Sequence, residues 1–151
     1  MELTGVIIAA QDDVLRAASG ALTRAHLEHY ATSGPEQARC RLDALFTVVI
    51  KCLAQRSLAP ISKYADEVAQ ERFAAGFDIA EVQTAFNVLE EAIWRVVIAR
   101  IPAEDLAEAT GLVGSVFGSG KDALARSWVS AATNQRVTSL DLTALFEGAA
   151  S

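Results

Sequence analysis

Cysteine is too scarce in this sequence to staple a fold. The two present, Cys40 and Cys52, are expected on one helix. Twelve residues at about 1.5 Å each would hold them roughly 18 Å apart, far beyond disulfide reach, so they read as small, half-buried residues of a reduced, cytoplasmic protein. Histidine is equally thin. His26 and His29 lie three apart, and two ligands with no cysteine or carboxylate spaced to complete the set do not make a zinc site. No Glu-x-x-His pair occurs, which removes a di-iron helix bundle. Positive charge is also short, with 13 Lys/Arg against 19 Asp/Glu. Without a basic stripe, neither nucleic acid nor an acidic lipid surface is an expected partner. Long apolar runs are missing too. Val6–Ala10 is too short for a signal peptide, Ala44–Ile50 stops at Lys51, and neither spans a membrane.

Alternation of apolar and polar residues over a strand's length is absent as well, while Ala is abundant and 52% of residues are hydrophobic. That combination points to an all-α domain. A length of 151 residues suits one domain that can bury a core unaided. The reading places it at residues 1–136, with 137–151 as a short C-terminal amphipathic segment. Negative charge gathers late in the chain: residues 1–75 hold 8 Lys/Arg against 9 Asp/Glu, residues 76–151 hold 5 against 10, giving −1 and −5.

Punctuation marks five long helices and a short last one. The first is expected over 11–31, with Asp12 and Asp13 near its positive end and Gly34-Pro35 closing it; residues 2–10 either extend it or form a separate arm. The second covers 35–55, with Leu42, Leu45, Phe46, Val49 and Leu53 inward. The third covers 58–75, capped by Ser57, with Pro60 in its first turn and Gly76 ending it in the left-handed conformation. Asp78 and Glu81 supply the D-x-x-E spacing of a capping box, and Ile79, Val82, Phe86, Leu89, Ile93 and Val96 recur at helical intervals behind it. The fourth helix is therefore expected over 79–100. Pro102 breaks it and begins a fifth over 103–134. That helix carries four glycines, Gly111, Gly114, Gly118 and Gly120, each unfavourable by about 1 kcal/mol relative to Ala. They imply either an interruption near Ser119-Gly120 or close approach of another helix. In the last segment Ser139 is expected to cap a short helix presenting Leu142, Leu145 and Phe146, too short to stand alone.

The segment GSVFGSGKD imitates a phosphate-binding loop and fails. Ser115 stands where the first Gly belongs, Asp122 where a hydroxyl is needed, and a helix precedes it in place of a strand. No Ser, Cys or Lys sits in a nucleophile motif. Arg72, near the end of the third helix, is expected to hold a structural pair with Glu67, Asp66 or a second helix. Trp94 lies about 100° off the main stripe of its helix, beside Val97 and Ile101, and makes a second apolar face. With Gly114, Phe117, Gly118 and Trp128 of the fifth helix, that face is the expected interface of a homodimer.

The residues from His26 to about Val97 resemble the N-terminal sensory domain of RsbR-type stressosome co-antagonists, a module similar to one that precedes PucR-type regulators. The turn Arg72-Phe73-Ala74-Ala75-Gly76-Phe77 carries the likeness, followed by Asp78, Ile79, Glu81, Val82 and the long helix with Leu89. The Pro35 helix start and Ser57-Leu58-Ala59-Pro60 fit the same pattern. The resemblance implies a globin-like helical fold without haem or other cofactor, dimeric through its last two long helices and acting as a signal-input domain with a regulatory protein partner. Such domains continue into a STAS or DNA-binding output domain, whereas this sequence stops at Ser151. It is therefore expected either to act alone through a partner or to be the input half of something longer. The expected function is regulatory and non-enzymatic. The competing readings are a haem or small-ligand carrier and an enzyme whose site the sequence hides.

Overall fold

The start of the chain is two helices, not one. In the computed structural model, which describes residues 2–25, 27, 32, 34–133 and 142–150, α1 (Leu3–Ala9) and α2 (Gln11–Arg24) are separated at Ala10, where φ is −98° and ψ 9°. Residues 2–10 are thus a separate short arm, pinned by buried Leu3 and Ile7. α2 ends at Arg24, well short of the expected 31, because its apolar stripe Val14–Leu15–Ala18–Leu22 runs out there. His26 and His29 fall outside the described residues.

α3 (Pro35–Gln55) has Pro35 in its first turn, where a missing N–H does no harm. It closes on Arg56, which holds φ +51°. α4 (Ala59–Ala74) begins one residue later than expected, with Leu58 in the cap position. Ser57 still contributes, its Oγ accepting from the Ala59 N–H at 3.2 Å. α5 (Ile79–Arg100) and α6 (Ala103–Thr133) follow the expected bounds, with residue 134 outside the described set. A last helix, α7 (Thr143–Ala150), completes seven helices and no strand among the described residues. The domain is all-α, consistent with a globin-like helical arrangement.

α6 forms the axis of the molecule. None of its residues from Ala109 to Trp128 is exposed, and it packs most extensively along α4, then on α5 and α7. Its glycine-rich stretch is an unbroken helix, so the interruption considered from sequence does not occur. At Gly120 close approach is the reason instead. A Cβ on Gly120 would lie 2.8 Å from Ile61 Cγ1 and 3.2 Å from Phe86 Cε2, nearer than packed carbons allow. Gly118 faces Leu142 of the last segment and Gly114 faces Trp94. α2 and α1 cover other sides of α5, so that helix is enclosed on more faces than one apolar stripe would suggest. Phe146 of α7 is buried and Leu142 just before the helix packs on the core, but Leu145 points to solvent, so two of the three expected apolar residues hold the last segment.

Candidate functional site

The corner joining α4 to α5 is built from residues close together in sequence. Gly76 adopts φ +84°, a conformation a side chain disfavours. The Phe77 N–H donates to the Arg72 carbonyl at 3.0 Å and the Gly76 N–H to the Phe73 carbonyl at 3.1 Å, which satisfies two orphan carbonyls at the end of α4 as a Schellman motif does. The next helix then starts at once. Asp78 Oδ1 accepts from the Ala80 N–H at 3.1 Å, and Glu81 Oε2 accepts from the Asp78 N–H at 2.9 Å. The capping box expected from D-x-x-E is complete.

Side chains converge on this frame. Arg72 is only 6% exposed and pairs with Glu71 rather than with Glu67 or Asp66. Asp66 is used elsewhere, accepting from Ser127 of α6. The Arg72 guanidinium lies 5.6 Å from the centroid of the Phe77 ring, and the Arg41 guanidinium lies 5.3 Å from the same ring. Two cations on one aromatic face an electron-rich surface that each can use, and Glu81, itself buried, belongs to the same corner. Arg41 escaped sequence reasoning. The signal available was a charged residue set into the inner stripe of α3, next to Leu42 and one turn from Ala38 and Leu45.

Chemically, the corner holds positive charge and an aromatic ring, with no activated nucleophile. Elsewhere, burial pushes the Cys52 thiol up from its ordinary 9.0 to about 11, opposed by the Ile61 backbone hydrogen bond and the charge of Lys51. Protonated at neutral pH, it is a poor nucleophile. Among the described residues no group of three or more His, Cys, Asp or Glu is placed to hold a metal ion, and no described helix is long and apolar enough to cross a membrane.

The expected dimer face is largely redistributed. Val97, Ile101, Phe117 and Trp128 are buried within the chain's own core, and Trp128 meets the Phe73 ring edge-on at 5.8 Å. Gly118 is covered by Leu142. Trp94 and Gly114 remain half-buried against each other. What α5 still presents outward is Ile98, at 64% the exposed large apolar side chain of the helix, one turn beyond Trp94. An ion pair between Glu91 and Arg95 at 2.8 Å borders that strip.

A family profile described as the RsbT co-antagonist protein rsbRD N-terminal domain matches residues 4–135. No curated protein and no solved structure matches the chain. The matched stretch takes in the whole corner and both long helices that flank it. α7 lies outside it.

Proposed function

The chain belongs to the family of RsbT co-antagonist protein rsbRD N-terminal domains, and from that membership we propose that it is a non-enzymatic signal-input module. In this reading it works in the cytoplasm as a homodimer and passes its signal to a regulatory protein partner in a stress-response or transcription-regulatory pathway. Family membership supports the regulatory part. The observation that carries the assembly is the outer strip of α5, where Ile98, the one large apolar side chain of that helix in the open, stands 64% exposed beside Trp94. A second copy related by two-fold symmetry would bury both side chains twice over, the arrangement most oligomers adopt. The Arg72–Phe77–Arg41 corner then serves as the rigid joint that fixes α5 relative to α4. Light scattering of the purified chain at micromolar concentration tests the assembly. A mass twice that of the 16.0 kDa chain is expected, and a monomer at every concentration would refute it.

A further inference from the structure

A second region of the molecule has the makings of a ligand site. A cavity of about 520 Å³ lies between the start of α4, the middle of α6 and α7. Its walls carry Arg56, Ser62, Ser119 and Arg126 from the body, and Phe146 and Glu147 from α7. Three features point to an occupant. Ser119 is 8% exposed, and among the described residues its hydroxyl meets only that of Ser62, at 3.3 Å. Each hydroxyl has one proton and one of the pair must accept, so one proton of this pair, facing the cavity, has no protein acceptor among the described residues. Arg126 is bound to Asp122 through Nε at 2.9 Å, which leaves its two terminal amino groups for another acceptor. Arg56 makes no ion pair among the described residues, yet it occupies a left-handed position, φ +51°, that glycine would fill with less strain.

From these groups we infer that the cavity binds a small molecule bearing an oxyanion, a carboxylate or a phosphate group. Arg56 and Arg126 would neutralise its charge, and the Ser62–Ser119 pair would donate the spare proton. Guanidinium groups suit such planar or tetrahedral oxyanions because their N–H bonds fork toward two oxygens. The floor of the site belongs to the family-matched stretch and its lid to α7, which lies outside it. α7 is held chiefly by Phe146, so a ligand bridging body and lid clamps α7 in place. The occupant becomes a signal that the position of α7 reports.

The test is a chemical-shift titration of the whole chain with inorganic phosphate and, separately, with acetate, at ionic strength matched with chloride. Saturable shifts at Ser62 and Ser119 are expected with at least one of the two anions, and which one identifies the oxyanion. Amide exchange at Leu145–Glu147 should slow at saturation. Arg56→Gly should weaken binding roughly tenfold or more, the worth of a hydrogen bond to a charged group, while the melting temperature holds or rises. Glu147→Gln, which removes the one acid on the wall among the described residues, should tighten it. Shifts with neither anion, shifts retained in both Arg56→Gly and Arg126→Gln, or weaker binding in Glu147→Gln would each overturn the site. Unchanged exchange in α7 would overturn the clamp. None of these readouts depends on oligomeric state, so a monomeric chain would leave the inference standing.

Discussion

Asp78 and Gly76 show how much a single residue can settle when its partners are near in sequence. Asp78→Ala removes the acceptor for the Ala80 N–H and is expected to cost about 1 kcal/mol in urea unfolding. Gly76→Ala, at φ +84°, should cost about the same or more, since left-handed backbone disfavours a side chain by about 1–2 kcal/mol. Unchanged urea midpoints in both would mean the corner contributes nothing to stability. This corner was legible because every one of its hydrogen bonds spans five residues or fewer. Arg41 was not, because its partner ring, Phe77, comes from the α4–α5 corner, far along the chain from α3, and no local spacing encodes a contact between such distant segments. Nor does spacing reveal Cys52 as one of the most deeply buried groups, and its burial has a pH signature. The folded state holds the thiol proton up to about pH 11, whereas an ordinary thiol releases it near 9.0. Above pH 9 the unfolded chain therefore binds fewer protons than the folded one, so stability falls as pH rises through that window. The loss should approach about 2–3 kcal/mol by pH 11. Subtracting the unfolding free energies of Cys52→Ala from those of the wild type across pH 8–11 isolates it, and a flat difference would contradict the burial.

At the scale of elements, helix existence followed from punctuation and periodicity, while the choice between an interruption and close approach for the glycines in α6 did not. Pro102 and the acidic first turn fix where α6 begins, and the D-x-x-E box fixes α5, because both signals act within one turn. The end of α2 is set by where packing against α5 stops, which the Gly34-Pro35 signal further on does not report. The glycines separate by what each faces. At Gly120 an added methyl meets Ile61 Cγ1 at 2.8 Å. Overpacking of that kind costs about 1–3 kcal/mol, more than the roughly 1 kcal/mol of helix propensity recovered, since Cγ1 sits near the stem of Ile61 and cannot swing away. Gly120→Ala is therefore expected to destabilise. At Gly114 the nearest atom is Trp94 Cζ2 at 4.0 Å, ordinary van der Waals contact, so Gly114→Ala should stabilise by up to about 1 kcal/mol. Urea midpoints moving in opposite directions would confirm the two roles. A shift of the same sign in both would mean that the α4–α6 approach does not discriminate between them.

For the whole molecule, the question is which apolar residues serve the core and which are left for a partner. Sequence periodicity finds two apolar faces on α5 but cannot count the helices that will cover them. Val97 and Ile101 were therefore open to assignment until α1, α2 and α6 were seen around that helix. With Val97 and Phe117 fully enclosed, Val97→Glu or Phe117→Glu would bury an unpaired charge. The penalty, several kcal/mol, is a large share of the roughly 5–15 kcal/mol that holds a domain together. Those variants are expected to lose helical circular dichroism or to melt far below the wild type, whatever the oligomeric state. Ile98→Glu is the discriminating change. Its side chain already meets water in the single chain, so the monomer fold should keep its circular dichroism and lose little stability, within about 0.5 kcal/mol. In a two-fold dimer closed across Ile98 and Trp94, however, the substitution places two like charges against each other near the axis. The scattering mass should then fall to that of one chain. A variant that stays dimeric with its fold intact would move the interface off this strip of α5, leaving Ile98 as an isolated exposed side chain of the ordinary kind.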